Sequence, residues 1–315
     1  MAERGAPAFY RQPQGHVVTW LVMGMATVLV LRAGKHEQNP RPQFARLASE
    51  LLPVSVQGCG SALPLAFLGC EQREVLRVVS STFPYATMSG GEVVSRALRV
   101  LKPYGLTRKN TIYGQSIGCD EINGAPGHVS TILTGFYGRT FPMGGLGGAP
   151  FVGKTGFLAL SHLVPDRGHV FVLFGPHIGF SPTSEAGKFQ RAGQSGPSNA
   201  CRELQAAFSQ CTSGHQMSGD PSDIMQSWWR AQLKPRCAAV LRSSNQQVEL
   251  VMQAYKIIEA EMFRIINTGV LRGNLVLLGG VQINMPCSLP GYFMPLHFSI
   301  RSAKSKPINL MSAFR

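Results

Sequence analysis

The stretch HVFVLFGPHIGF, residues 169–180, is the clearest indication of the fold. Every position of Val170–Phe174 is apolar, which predicts a strand buried on both faces. The sequence Gly-Pro-His-Ile-Gly that follows predicts a turn at the carboxyl end of this strand. Because α/β proteins place functional side chains at the carboxyl ends of their strands, His177 is a candidate site residue.

Elements on both sides of this strand alternate between helix and strand, which favours an α/β fold with a central sheet flanked by helices. The spacing Ser89-x-x-Glu92 is that of a capping box and predicts the start of a helix that ends near Pro103 and Gly105. Asp120 is a candidate cap of a following helix. The other predicted elements are strands at 111–117, 275–284 and 293–301, and a long amphipathic helix around 246–267.

A glycine-rich segment, FPMGGLGGAPFVGKTG (141–156), contains a match to the phosphate-loop pattern at Gly148–Thr155. That pattern binds nucleotides when a strand precedes it and a helix follows it. Here turn-like sequence precedes the match, residues 157–160 are more typical of a strand, and no acidic strand end of the matching kind is evident. Nucleotide binding is therefore the less favoured interpretation.

The N-terminal part differs from the rest of the chain. Residues 17–31 are apolar and, at 15 residues, are short for a membrane span of roughly 20 residues but suited to a signal-peptide core. The acid-poor, arginine-containing sequence up to residue 70 makes a two-part plastid (chloroplast) address one interpretation. A signal anchor in the endomembrane system, with transient membrane contact, is the other. We therefore expect a targeting and linker segment at 1–75 and a catalytic domain at 76–315.

Charge and cysteine content exclude some classes of protein. The net charge of +14 is diffuse, without a block of Lys and Arg or a nucleic-acid motif, so nucleic acid is not the expected partner. The seven cysteines are widely and irregularly spaced, which argues against a secreted disulfide scaffold and for free thiols or metal ligands. Cys211, Cys237 and Cys287 are interpreted as structural.

Three soft or imidazole donors fall near predicted element ends: Cys119, His177 and Cys201. Two thiolates and one imidazole leave an open tetrahedral position, the arrangement of a catalytic zinc site, where bound water ionises near neutral pH and attacks CO2. Asp120 is a candidate for the fourth position or for a hydrogen bond to the zinc hydroxide. Arg191 is a candidate partner that pairs with Asp120 and releases it from the metal.

A purely structural role remains an alternative for each of these candidate ligands. A lone cysteine is often a small core residue, and the histidine of a turn often bonds only to backbone. His162 is a rival to His177 as the imidazole ligand. A cysteine nucleophile, Cys119 with His177 or His162 as base, is a further but weaker alternative, because no signature of a thiol hydrolase is present.

Six ordered blocks carry a resemblance that covers about Phe83 to the C-terminus: NTIYGQSIGCDEIN, FPMGGLGGAPFVGKTGFLALSHLVPD, VFVLFGPHIGF, GKFQRAGQ, LVLLGGVQINMP and GYFMPLHFSIR. This part of the chain resembles the limiting-CO2-inducible protein B/C family of algae and microbes, the theta class of carbonic anhydrases. The resemblance implies a β-carbonic-anhydrase-like fold, a homodimer or an assembly with another family member, and reversible hydration of CO2 in a plastid CO2-concentrating mechanism. It also implies that the glycine-rich segment is scaffold.

The resemblance further implies a zinc ion held by Cys, His and Cys beside an Asp. His177, Cys201 and Asp120 match three of these residues. The family pattern Cys-x-Asp places the first thiol at position 118, where this chain has glycine, and Cys119 stands one residue later. On a strand such a slip turns a side chain to the opposite face, whereas a flexible turn after Gly118 would re-aim it. The alternative function is therefore a catalytically impaired member that acts as a dimer partner or scaffold.

Overall fold

The structure, a computed structural model, describes residues 71–213, 219–303 and 305–314. The predicted signal core at 17–31 and the arginine-containing linker up to residue 70 lie outside the described residues. Across the part of the chain that is described, no helix combines the length and the apolar character that a membrane crossing requires.

A mixed sheet forms the centre of the fold, and within the described residues it has eight strands. Strand β4 (His169–Phe174) lies between β2 (Thr111–Ser116) and β8 (Leu275–Asn284), and these three strands are parallel. β9 (Tyr292–Ser302) runs antiparallel to β8, and the short β5 (His177–Gly179) pairs in parallel with the far end of β8. The described residues form ten strands, of which β6 and β7 pair with each other in a separate two-stranded sheet. The strands are β1 Met88–Ser89, β2 Thr111–Ser116, β3 Phe141–Pro142, β4 His169–Phe174, β5 His177–Gly179, β6 Lys188–Phe189, β7 Ser198–Asn199, β8 Leu275–Asn284, β9 Tyr292–Ser302 and β10 Ser305–Asn309.

Helices cover both faces of this sheet. The amide of Glu92 donates to the hydroxyl of Ser89 (3.3 Å), which confirms the predicted start of the second helix. The first helix, Gln72–Thr82, begins before residue 76, the expected start of the catalytic domain, and buries Val75 and Val79. The helices are α1 Gln72–Thr82, α2 Gly90–Leu101, α3 Val129–Tyr137, α4 Gly153–His162, α5 Arg202–Thr212, α6 Ile224–Leu233, α7 Cys237–Arg242, α8 Gln246–Ile265 and α9 Met311–Phe314.

Strand β4 shows how the sheet divides the core. Val170, Val172 and Phe174 pack into one apolar cluster together with residues of α8. Phe171 and Leu173 face the other way, into a second cluster that includes residues of α2 and α3. All five side chains are fully buried. The apolar run that predicted a strand covered on both faces is thereby explained, because successive strand residues point to opposite faces.

The glycine-rich segment is packed against the rest of the fold. Gly148, the outer glycine of the phosphate-loop match, has φ +87°, and a Cβ there would overlap the carbonyl oxygen of Gly175. The prediction of a strand at 157–160 is wrong, since these residues belong to α4. Phe157 and Leu160 are buried three positions apart, whereas Leu158 is exposed, which is helical periodicity.

One pair of cysteines differs from the expectation of free thiols. Cys211 in α5 and Cys237 at the start of α7 form a disulfide, their Cα atoms 6.2 Å apart. The two residues are structural, as predicted, but the prediction of thiols or metal ligands is wrong for them. Helix packing brings them together across 26 positions of sequence, a contact that their irregular spacing does not reveal.

Candidate metal centre

Three side chains that lie far apart in the sequence meet beyond the carboxyl ends of the strands. Asp120 follows β2, His177 is the first residue of β5, and Cys201 immediately precedes α5. One donor atom from each residue lies within 4.8 Å of the other two. An imidazole, a thiolate and a carboxylate are all accepted ligands of zinc, so the group forms a candidate metal centre.

His177 is fully buried and held in one tautomer by Asn284. The two side-chain amide hydrogens of Asn284 go to the carbonyl of Ile122 (3.1 Å) and the amide oxygen of Asn123 (3.2 Å). Its own oxygen therefore faces His177, and the Nδ1–H of His177 donates to it at 2.9 Å. Because the proton of the neutral ring is on Nδ1, the Nε2 lone pair points to the other members of the group.

The Nε2 lone pair of His177 is directed at a carboxylate oxygen of Asp120. Nε2 of His177 lies 2.8 Å from Oδ2 of Asp120. The two atoms are not aligned as a hydrogen bond, and both are buried without a hydrogen-bond partner among the described residues. Two acceptors this close repel each other unless a proton or a metal ion lies between them. A divalent cation bound by both atoms and by Cys201 meets this demand, so the residues fit a metal ion.

The protonation equilibria of the group lead to the same conclusion. Burial lowers the pKa of His177, but the nearby Cys201 and Asp120 outweigh it and raise that pKa well above its usual range. Burial raises the pKa of the Cys201 thiol, and His177 partly offsets this effect. The site thus stabilises positive charge between its acidic members. A bound divalent ion supplies that charge and lets Cys201 bind as a thiolate.

A network of buried amides and hydroxyls supports the ligands, and sequence reasoning missed it. Asn123 donates to the carbonyl of Gly118 (2.9 Å) and accepts from Gln282 (2.9 Å). Ser130 donates to Gln282 (3.1 Å). The signal that could have revealed it is in β8, where Gln282 and Asn284 are polar residues two positions apart in an otherwise apolar strand. Alternation of this kind places both side chains on one face.

Cys119 lies outside the group that the structure brings together. Its thiol is exposed and is not among the donor atoms within 4.8 Å of one another. The predicted ligand set Cys119, His177 and Cys201 is therefore not assembled in this structure. The position that faces the site is 118, since a Cβ built on Gly118 would lie 3.3 Å from Nε2 of His177. The backbone after β2 does not re-aim the shifted thiol at the site.

Arg191 also differs from its predicted role. Its Nε donates to Glu121 at 2.6 Å, and its other nitrogens donate to the hydroxyl of Ser198 and the carbonyls of Asn199 and Ala200. The predicted pairing with Asp120 is replaced by pairing with the next residue. Arg191 thereby connects the loop that carries Asp120 to the loop that carries Cys201.

His162, the rival imidazole, is the last residue of α4 and is exposed. It is not one of the three donors that meet, so the structure favours His177 as the imidazole of the site.

A cleft of about 500 Å³ borders the candidate metal centre. Asp120 lines it, together with Gly118 and Cys119, and Ser130 and Thr131 lie in its wall. His177 and Cys201 are buried behind these residues. Asp120 is thus the donor that stands between the buried ligands and the cleft.

The central sheet and the Cys/His/Asp group define a protein of the carbonic-anhydrase-like α/β class. The family model for limiting CO2-inducible proteins B/C, β-carbonic anhydrases, matches residues 87–302. The chain belongs to this family. The resemblance noted from the six sequence blocks and the predicted fold class are confirmed.

Solved structures agree with this assignment. A point mutant of PtLCIB4, a homologue of the limiting CO2-inducible protein LCIB, has a TM-score of 0.70 and 28% identity, covering 75% of this chain and 98% of its own. PtLCIB4 without that mutation gives 0.68 and 28% over 74% and 98%. LCIB itself, at 0.58 and 19% over 76% and 100%, shows the fold alone. A search of the curated proteins found no match.

Replacement of Asn284 tests the support of His177. We expect Asn284→Ala to weaken zinc binding by about 10- to 100-fold, because outer-shell partners that orient a ligand histidine act on this scale. Zinc affinity, measured by competition with a chromophoric chelator, checks this. Ser130→Ala is the control, because it removes a hydrogen bond from the same network without touching His177. Equal zinc affinity of the two variants would contradict the role of Asn284.

Proposed function

We propose that the protein catalyses the reversible hydration of CO2 to bicarbonate at a zinc site formed by Asp120, His177 and Cys201. The observation that carries the proposal is the meeting of these three donors within 4.8 Å. Two of the donor atoms are buried without another partner among the described residues. Membership of a family of β-carbonic anhydrases supports CO2 as the substrate.

Each residue of the site has a role that depends on its position. His177 and Cys201 are buried and hold the ion, and a backbone amide in the first turn of α5 offsets part of the rise that burial causes in the pKa of Cys201. Zinc, when bound, supplies a Lewis acid that brings the ionisation of water close to neutral pH. Asp120 borders the cleft and accepts a hydrogen bond or a proton from water there. Arg191 acts as a positioning residue for the two ligand loops.

The cellular setting is part of the same proposal and is supported by the N-terminal sequence and by membership of the family. We place the activity in a plastid CO2-concentrating mechanism, with the protein as a homodimer or as one partner in an assembly of family members. Import of a fluorescent fusion of residues 1–75 tests the plastid address, and secretion or retention in the endomembrane system would contradict it.

Oxygen-isotope exchange of labelled CO2 tests the enzymatic proposal. We expect the purified full chain to accelerate the exchange, to lose this activity when a chelator removes zinc, and to regain it when zinc is restored. Exchange that survives complete removal of metal would contradict a zinc mechanism.

A second candidate function is a dimer partner or scaffold that has lost catalysis. Two observations favour it: position 118, which faces His177, carries no side chain, and the neighbouring Cys119 thiol is exposed. Bound zinc at one ion per chain without isotope exchange is the result expected of this alternative. The same experiment therefore separates the two candidates.

A further inference from the structure

A second carboxylate, that of Glu203, lies beside the candidate metal centre. The thiol of Cys201 donates to its Oε2 at 3.6 Å. Glu203 is half-buried in the first turn of α5, and its backbone is held by a hydrogen bond from Gln226 to its carbonyl (3.2 Å). The carboxylate is therefore in contact with the Cys201 thiol.

Metal binding changes the interaction between the side chains of Cys201 and Glu203 from a hydrogen bond to a repulsion between charges. The thiol gives up its proton when it becomes a ligand, and the hydrogen bond to Glu203 is lost. A thiolate and a carboxylate at this distance repel each other in a partly buried site. Binding of both groups to the same cation removes the repulsion without separating them.

The observed distance already suits shared coordination. With Zn–S near 2.3 Å and Zn–O near 2.0–2.2 Å, sulfur and oxygen ligands of a tetrahedral zinc ion lie about 3.5 Å apart. The Cys201–Glu203 separation of 3.6 Å is close to this value. The Glu203 oxygen is not among the donors within 4.8 Å of one another, so coordination requires a rotation of its side chain toward His177 and Asp120.

We propose that Glu203 is a protein ligand of the metal ion, in addition to Asp120, His177 and Cys201. This inference rests on the proposed function. Asp120 lines the cleft and Glu203 does not, so Asp120 is the ligand that gives way to substrate and Glu203 is the one that stays. The lasting ligands are then an imidazole, a thiolate and a carboxylate, with one position open to the cleft.

The donor set has a consequence for metal choice. One thiolate with carboxylates is a harder donor set than two thiolates, and oxygen donors suit an ion such as Mn²⁺ better than sulfur does. Co²⁺ accepts sulfur, nitrogen and oxygen donors, so we expect it to bind the full chain at the same site and to report the coordination by its visible spectrum.

The test compares Glu203→Gln with the wild-type full chain, using zinc affinity and the spectrum of bound Co²⁺. We expect zinc affinity to fall at least about tenfold, because loss of even an outer-shell partner acts on that scale. We also expect the ligand-field bands of Co²⁺ to change. Glu249→Gln is the matched control, since Glu249 is likewise half-buried in a first helical turn but its carboxylate accepts a hydrogen bond from Gln253 and has none from Cys201.

The outcomes separate this inference from the proposed function. Zinc affinity that is unchanged in Glu203→Gln, or a reduced affinity with an unchanged Co²⁺ spectrum, would overturn the role of Glu203 as a ligand and leave the three-donor site standing. A wild-type chain that binds neither ion would overturn both. Glu203→Asp, which keeps the charge on a shorter side chain, is expected to retain more affinity than Glu203→Gln.

Discussion

Cys201→Ala and His177→Ala are each expected to abolish stoichiometric zinc binding and oxygen-isotope exchange. Both residues are buried, and each supplies one of the three donors that meet within 4.8 Å. Removal of either leaves one imidazole or thiolate beside carboxylates, whereas catalytic zinc sites use at least two nitrogen or sulfur ligands. Metal content of the purified variants, followed by exchange at saturating zinc, measures the effect.

The matched controls for these variants are Cys119→Ala and His162→Ala. Cys119 is next to Asp120 in sequence, and both control side chains are exposed and outside the donor group. We expect both controls to bind zinc as the wild type does. Circular dichroism confirms that each variant is folded. Loss of zinc in Cys119→Ala together with its retention in Cys201→Ala would contradict the assignment of the site.

Gly118→Cys is expected to raise zinc affinity at least about tenfold, the scale on which changes around a zinc site act. A Cβ at position 118 would lie 3.0 Å from Cδ2 and 3.3 Å from Nε2 of His177, so a thiol there points into the donor group. These contacts are tight, and the imidazole has to shift slightly to admit the new side chain. A thiolate added to Cys201 and His177 completes the two-sulfur, one-nitrogen set of a catalytic zinc site.

Gly118→Ser is the control for that gain, because it fills nearly the same space with a harder and weaker ligand. The double variant Gly118→Cys, Cys119→Ala is expected to match the single one, since the Cys119 thiol is exposed. A large rise in isotope exchange would show that the native chain is impaired by glycine at 118. Lower zinc affinity in the double variant than in the wild type would show instead that Cys119 is the working ligand.

Local patterns made much of the fold predictable. Ser89 and Glu92 define a helix start through contacts three residues apart, and the apolar run Val170–Phe174 needs no distant information to indicate a buried strand. The four residues 157–160 were too few to separate strand from helix. Their state is decided by the core, which accepts Phe157 and Leu160 and leaves Leu158 exposed.

The candidate site depended on geometry that the sequence does not contain. His177 and Cys201 are candidate ligands because of their positions near predicted element ends and because of the resemblance, and the fold brings them together with Asp120. The direction of the backbone after β2 decides whether the side chain at position 118 or the one at position 119 faces His177. A shift of one residue turns a side chain to the opposite side. The role of Asn284 rests on its contact with His177, which lies 107 positions earlier in the sequence. The role of Glu203 rests on its contact with Cys201, two positions earlier.

The most direct test of the central claim is a zinc titration of the metal-stripped full chain, followed by oxygen-isotope exchange at each step. We expect exchange to rise with added zinc and to reach a plateau at one ion per chain. A chain that takes up one zinc ion without any gain in exchange, or that takes up none, would contradict the claim.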